Sequence, residues 1–400
     1  MKNFLSLSIK NKEIVKSLYY GKTMSCAAIS ADVSLSIPSV QKALNELVEA
    51  GIVSENGIGA SSGGRRPATY SLIADVCYIL SVAMDRFNTR MVVSDLHGNF
   101  RTPVREFSLA LYQNPDSTVF LIEQIKQLLN DCGIEASKII AAGIGMPGFI
   151  DEDRGINFNY LPVAGGQTLK GYMESRLGLP VVLFNDSNAV AQAELKFGLG
   201  KTYTDMMVIN MGWGIGLGMI LNGKMYNGSS GLAGEFSHIP LVPNGKLCTC
   251  GKHGCLETVA SMIAIEQKAT EIVTGSNTPG NLVIEDGQIG IKQVFDEAKK
   301  GDPLSIRLIS EAGYYIGQGL SILIHIMNPQ VIVLSGIGVE AGKLWLAPIQ
   351  QAINEHSIPR LSSFTGLLLS NLGADAELIG AASFVMEHIN KITSLQNKPN

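Results

Sequence analysis

An α/β protein in two parts is what this chain of 400 residues predicts: a short, mostly helical head and a long body of strands alternating with helices. Apolar residues recur at helical spacing up to Glu49, and strand-like runs then flank a Gly-Ser-Arg stretch that ends before Leu72. Beyond Leu72, apolar runs of strand length alternate with helical stretches and Gly-rich turns. Charge divides the chain at the same place. Residues 1–72 hold eight Lys and Arg against five Asp and Glu, a net +3, whereas the whole chain stands at −4, which leaves −7 for the rest. A basic head on an acidic body is the asymmetry of a nucleic-acid-binding arm, although a chance fluctuation of a few charges would give the same numbers.

Composition sets outer bounds. With 46% apolar and 16% charged residues the chain is globular rather than disordered or fibrous, and its length calls for two or three domains. No unbroken apolar stretch approaches the roughly 18–20 residues that span a bilayer. The opening MKNFLSLSIKNKEIVKSL places lysines where a secretory signal has small residues, so a cytoplasmic protein is expected. Six cysteines are too few for a disulfide scaffold, but Cys248, Cys250 and Cys255 cluster, which in a reducing compartment suggests metal.

In the head, Lys10–Tyr20 carries Ile14, Val15 and Leu18 on one helical face, and Gly21 is read as the left-handed residue that ends it. Ser25 is placed to cap a second helix, Ala27–Ala31. A third begins around Ser36 with Pro38 in its first turn, where a missing N–H costs nothing. Its apolar stripe is Val40, Leu44, Leu47 and Val48, so Ser36, Ser39, Gln41, Lys42 and Asn45 are left to read DNA. Such a polar-faced helix after two short ones suits a helix-turn-helix, whose recognition helix meets donor and acceptor edges in the major groove. Gly51–Val53 and Ala68–Leu72 read as the strands of a wing, with Arg65 and Arg66 at a tip suited to a phosphate backbone or minor groove. A three-helix protein-interaction module is the other reading. The stretch IPSVQKALNELVEAGIVSENG…GGRRPATYSL is similar to the winged-helix heads of bacterial transcriptional regulators.

In the body, strands are expected at Tyr78–Met84, Met91–Asp95, Ile139–Ile144, Val181–Phe184, Met206–Asn210 and Val331–Leu334. Gly143–Asp151 is a strand entering a tight turn whose glycines, Gly145 and Gly148 among them, allow close backbone approach to a ligand. At Asn185-Asp186 a strand end presents an amide and a carboxylate just before a helix. That carboxylate could orient or deprotonate a hydroxyl, or simply cap the helix. The third constellation is GLAGEFSH, 231–238, followed by CTCGKHGCLE, 248–257. One imidazole and three thiolates make a closed tetrahedral zinc site, hence a structural metal; His238 and His253 compete as the fourth ligand, and free structural cysteines are the alternative.

GIGMPGFID, FNDSNAVAQAE, GLAGEFSH and CTCGKHGCLE, in that order and spacing, resemble the ROK family of repressors, open reading frames and sugar kinases over essentially the whole chain. The resemblance implies a winged helix-turn-helix domain, 1–72, on a ROK sugar-binding body, 73–400. The body would be a two-lobed sugar-kinase, actin-like (ribonuclease H-like) fold, with one lobe at about 73–196 plus the C-terminal helix and the other at about 197–385. It implies a sugar cleft between the lobes and a homodimer or homotetramer. Gly145 and Gly148 would lie on the sugar-facing turn. Asn185, Asp186, Glu235, His238 and Glu257 would contact sugar hydroxyls, with Asp186 at the kinases' general-base position and His238 preferred to His253 as the zinc ligand.

Two departures from the family bear on activity. Its first phosphate-binding turn, Asp-x-Gly-Gly-Thr, falls here on Ala83-Met84-Asp85-Arg86-Phe87; its second, Gly-Thr-Gly-x-Gly, is Gly212-Trp213-Gly214-Ile215-Gly216. The first turn has lost its Asp and both glycines and the second has an indole in place of the phosphate-facing hydroxyl, so phosphoryl transfer is not expected. The expectation is a repressor that senses a sugar or sugar phosphate and releases operator DNA, with no membrane partner and no catalytic residue. A sugar kinase with an accessory DNA-binding domain is the alternative, and a body that docks a protein partner is a third reading. Gly336, Gly338 and Gly380 match the family's nucleotide-side turn and closing helix, but are read here as packing residues.

Overall fold

The computed structural model describes residues 4–58, 68–275 and 281–392, and the chain divides into two compact units, Met1–Ala189 with Leu378–Asn400, and Val190–Glu377. The first unit opens with the head. Helix α1, Ile9–Gly21, starts at Ser8, whose hydroxyl accepts from Asn11 N at 3.2 Å. It ends on Lys22, which takes the left-handed conformation at φ 62° in place of Gly21. Gly21 is there for another reason: a Cβ would lie 2.3 Å from the Met24 sulfur. Ser25 caps α2, Cys26–Asp32, as its spacing predicts, accepting from Ala28 N at 3.2 Å. Helix α3, Ile37–Glu49, has Ser36 as N-cap and Pro38 in its first turn.

Ile14, Val15, Leu18, Ile29, Val40, Ala43, Leu44 and Leu47 close the core of the head. Val48 is not part of it, being 37% exposed. At about 100° per residue it lies past one edge of the face centred on Val40, Leu44 and Leu47, while Ala43 is buried at the opposite edge. A three-stranded antiparallel sheet completes the head, with β1, Thr23–Ser25, outside β3, Ala68–Leu72, which pairs in turn with β2, Val53–Ile58.

The rest of the first unit is a five-stranded sheet in the order β8-β7-β4-β5-β6: β4, Tyr78–Met84; β5, Asn88–Asp95; β6, Arg105–Ser108; β7, Ile139–Met146; β8, Val181–Asn185. The first three strands form an antiparallel meander, and β7 and β8 add to it in parallel. Parallel neighbours need a crossover, and here α4, Ser117–Asp131, and α5, Leu169–Leu177, supply the helices, burying Leu121, Ile125 and Met173. Helix α6, Asp186–Phe197, follows β8 without a linker.

The second unit repeats this order. A meander of β9, Met206–Met211, β10, Ile215–Leu221, and β11, Lys224–Met225, is extended in parallel by β12, Val331–Ser335, and β13, Gly366–Leu369. Its longest helix, α7, Pro303–Met327, is capped by Asp302 and packs on α8, Leu346–His356. Gly317 permits that closeness, since a Cβ there would come within 2.5 Å of Ile349 O.

The C-terminal helix α9, Ala376–Glu387, returns to the first unit. Two glycines let it touch backbone: a Cβ at Gly380 would meet Ala189 O at 1.9 Å, and one at Gly143 would meet Ala381 O at 2.5 Å. Phe384 stacks on Phe184 with ring centroids 4.3 Å apart. The same helix binds the head. Tyr20 Oη bonds Ser383 O and Oγ at 3.2 and 3.0 Å, Lys16 pairs with Glu387 at 3.5 Å, and the buried Lys12 donates to Ile392 O at 3.3 Å. Asn390 also donates to Glu13. Truncating a buried, stacked phenylalanine loses its transfer energy and leaves a cavity. Phe384→Ala should therefore cost about 3–5 kcal/mol, measured as a lower urea midpoint; a loss below about 1 kcal/mol would refute the central place given to this contact.

Candidate functional site

Strand β7 runs into the Gly148 turn, and β8 ends beside it, pairing Phe184 with Gly145 and Asn185 with Met146. Gly148 has φ +97°, and a Cβ there would lie 2.9 Å from Asn159 Oδ1, so both conformation and space demand glycine. Two asparagines that sequence reading passed over build this turn. Asn159 Oδ1 accepts from Phe149 N at 2.7 Å, and Asn157 Nδ2 donates to Pro147 O at 3.1 Å. Asn185 links turn to helix: its Nδ2 donates to Gly148 O at 3.3 Å, and its Oδ1 accepts from Ser187 N and Asn188 N.

Asp186 is the first residue of α6, and its Oδ1 accepts from Ser187 N at 2.7 Å and from Ser187 Oγ at 3.1 Å. Desolvation pushes its carboxyl above the usual range, against the pull of the Ser187 bonds and of Arg86. The cap of α6 is therefore Asn185 rather than Asp186, whose bonds to Ser187 fall on one carboxylate oxygen. In the hairpin turn between β4 and β5, Asp85 Oδ1 accepts from Phe87 N and Asn88 N, both at 2.7 Å. A side-chain carboxylate thus takes up two amide hydrogens of this turn.

In the second unit, Gly234 has φ +103° and sits where a Cβ would meet Leu217 O at 2.5 Å; Glu235 follows it, and His238 ends the short helical turn 236–238. The two nitrogens of His238 face different partners. Nδ1 lies 3.5 Å from Cys248 Sγ, and Nε2 lies 3.7 Å from the carboxylate of the exposed Glu235. Cys250 and Cys255 sulfurs are 3.6 Å apart, and His238, Cys248, Cys250 and Cys255 present ligand atoms all within 4.8 Å of one another. This quartet could hold a metal ion. His253 stands outside it, its Nδ1 facing Gly245 O at 3.1 Å. Burial, then the hydrogen-bonded Cys250 sulfur, raises the Cys255 thiol; a bound divalent cation would reverse that by favouring thiolate. Glu257 is buried as the first residue of a short helix two positions beyond Cys255. The turn Gly212–Gly214 closes on itself, Gly212 N donating to Gly214 O at 2.9 Å, with Trp213 packed partly against the core.

On the head, Lys42 and Asn45 are exposed on α3, Ser39 and Gln41 are half-buried, and Ser36 is exposed with its hydroxyl unused by the helix it caps. Gln41 Nε2 donates to Asn45 Oδ1 and to Tyr70 Oη on β3, both at 3.1 Å. Arg65 and Arg66 lie outside the described residues. Tyr70 and strand β1 escaped sequence reading: a three-residue strand has no period to detect, and one tyrosine in a wing strand looks like core. No helix among the described residues is long and apolar enough to cross a membrane.

Comparison with known proteins places these features. The profile of the ROK family matches residues 88–388. The xylose repressor of Bacillus spizizenii is 28% identical over 397 residues, covering 97% of each chain. A glucokinase of Halalkalibacterium halodurans is 34% identical over 261 residues, 64% of this chain and 79% of its own. A crystal structure of a ROK family transcriptional regulator, a homolog of the Escherichia coli MLC protein, superimposes with a TM-score of 0.78 at 26% identity, covering 96% of this chain and 98% of that one. The repressor and the regulator span head and body alike, whereas the kinase match covers 64% of the chain. This chain belongs to the ROK family.

Proposed function

We propose that the protein is a sugar-responsive transcriptional repressor in the cytoplasm: a winged helix-turn-helix head, 1–72, binds operator DNA, and a ROK body, 73–400, binds a sugar or sugar phosphate and releases it. The single observation that carries this reading is the near-complete match to a xylose repressor, head included. A sugar is a ring of hydroxyls, so its site needs paired acceptors, and leaving those unpaired with a wrong ligand gives discrimination. We assign that role to Asn185 and Asp186 in the first unit and to Glu235, His238 and Glu257 in the second, with Gly145 and Gly148 holding the backbone near the ring. Ser36, Ser39, Gln41, Lys42, Asn45, Arg65 and Arg66 are assigned to DNA. Two heads reading two half-sites imply a homodimer or homotetramer.

The donor set of one imidazole and three sulfurs fits zinc, which would be structural because protein fills all four positions. Held by these four residues, zinc would rigidify this loop, and His238, whose Nδ1 lies beside Cys248 and whose Nε2 faces Glu235, would then be oriented toward Glu235 or a ligand hydroxyl. Purified protein should carry one zinc per chain by elemental analysis, and Cys255→Ser should lose it together with most sugar affinity. Zinc-free wild-type protein with unchanged sugar binding would contradict this.

The glucokinase relative supports a rival reading, in which the body phosphorylates sugar. Against it stands the Asp85 carboxylate, which uses two turn amides and repels a triphosphate. The wild type should produce no sugar-dependent ADP with D-xylose or D-glucose; ADP formation that Asp186→Ala abolishes would establish the kinase.

Sensing requires that the sugar bias a two-state arrangement of the heads. A continuous route lies in the first unit. Asp186 starts α6, Ala189 and Phe184 contact Gly380 and Phe384 of α9, and Ser383 and Glu387 of α9 bond Tyr20 and Lys16 of α1. In anisotropy titrations with duplex from upstream of its own gene, D-xylose should weaken wild-type DNA binding, and Asp186→Asn should bind DNA normally but ignore the sugar. Because the Asp186 carboxyl titrates above the usual range, it takes up its proton at higher pH than an ordinary aspartate, so the response should fade on acidification. A full response from Asp186→Asn would remove that residue from the sugar site.

A further inference from the structure

Ile37 is one of several large apolar side chains left exposed, and its place in the head gives it interest. It is the first residue of α3, a large aliphatic side chain 54% exposed, while the helix buries Val40, Ala43, Leu44 and Leu47. Ile37, Gln41 and Asn45 are spaced by four, so they follow one another turn by turn along one edge of the helix. The wing borders that edge, because Gln41 reaches Tyr70 Oη on β3. We propose that Ile37 is a sequence-reading residue that packs against a thymine methyl in the major groove, and that Tyr70 is a positioning residue that holds Gln41 for the next contact. This rests on the DNA-binding reading of the head given above.

Recognition helices contact base edges with their N-terminal residues, which is where Ile37 stands. Thymine is the one base that presents a methyl group in the major groove, and an aliphatic side chain is its natural partner. The basic balance of the head, eight cationic against five acidic residues, supplies the sequence-independent attraction that brings such a side chain to the groove. Four residues at about 1.5 Å rise advance about 6 Å, close to twice the 3.4 Å spacing of base pairs. Ile37 and Gln41 therefore address bases about two steps apart.

Tyr70 acts on the second of these. Its ring is 4% exposed and its backbone pairs with Met24 on one side and Glu55 on the other, so the phenol oxygen is a fixed point. Gln41, bonded both to it and to Asn45, loses its rotamer freedom before DNA arrives. That is pre-organisation of a base-reading amide by the wing, an action distinct from any contact of the wing tip with DNA.

The test uses the full chain and the footprinted duplex from upstream of its own gene, with each thymine replaced in turn by deoxyuridine, which lacks only the methyl. Wild type should lose about three- to fivefold in affinity at one thymine of each half-site, as expected for one buried methyl. Ile37→Ala should lose a similar factor on the natural duplex and nothing further on that deoxyuridine duplex, whereas Ile37→Val should keep the sensitivity. If no deoxyuridine duplex weakens wild type, or if Ile37→Ala stays as sensitive as wild type, the Ile37 contact is refuted. A shift of Ile37→Ala to a different oligomeric state with sensitivity intact would assign the side chain to a protein interface instead. Tyr70→Phe should reduce the preference for operator over scrambled duplex threefold or more with scrambled-duplex affinity unchanged; equal losses on both would make Tyr70 merely structural. Wild type that binds operator and scrambled duplex alike would bring down the DNA-binding reading itself, and this proposal with it, a result separable from all of the others.

Discussion

The seating of the C-terminal helix on strands β7 and β8 is the constraint from which the rest of the first unit follows. Backbone meets backbone at Gly143 and at Gly380, and the Phe184–Phe384 stack fills the remaining space. Interiors at crystal-like density are bistable rather than continuously deformable, so a helix held this closely moves with the strand end beneath it or not at all. That strand end is Asn185, and the next residue is Asp186. The polar pair assigned to the ligand and the last helix of the chain are therefore parts of one packed layer.

The head joins the same layer from the other direction. Tyr20, Lys16 and Lys12 of α1 all spend their polar atoms on residues 383–392, and Lys22 donates to His97 O, whose ring nitrogen in turn bonds Leu72 O at the junction of head and body. The head accordingly forms one compact unit with the first sheet. A head on a loose tether could bind DNA, but it could not be told what the body has bound. A head bonded to the helix that also packs on the ligand-side strand has a path for a coupling free energy, and any such coupling is reciprocal: DNA must weaken sugar binding by the factor with which sugar weakens DNA binding.

Much of this was legible in the sequence where a local rule suffices. The cap at Ser25, the start of the third helix near Ser36, the strand at Tyr78–Met84 and the metal quartet each depend on neighbours a few positions away or on chemistry that few residue types can supply. What escaped depends on partners distant in the chain. Gly21 looks like a helix terminator until Met24 is seen to occupy the space of its missing Cβ. Val48 continues an apolar stripe on paper but falls past the edge of the buried face. Gly380 is read from the sequence as a packing residue, but nothing in the segment around Gly143 announces that Ala381, 238 positions away, will press on it. Among the polar site residues, Asn157 and Asn159 were passed over because asparagine after a hairpin reads as ordinary turn chemistry.

The proposed loss of phosphoryl transfer has a physical logic beyond missing glycines. A kinase must bind sugar loosely enough to release its product, and it uses closure to exclude water during chemistry. A sensor needs the opposite: ligand affinity that differs between two arrangements and is not relieved by turnover. Placing Asp85 in the first hairpin turn serves that end in one step. Its carboxylate satisfies the amides of Phe87 and Asn88, so the turn is stable without a phosphate, and its charge repels one. The carboxylate also raises the cost of ionising Asp186, while Arg86 lowers it. Burial is the larger influence on Asp186 and the Ser187 bonds oppose it, so in the proposed sensor this carboxyl is governed mainly by its immediate surroundings.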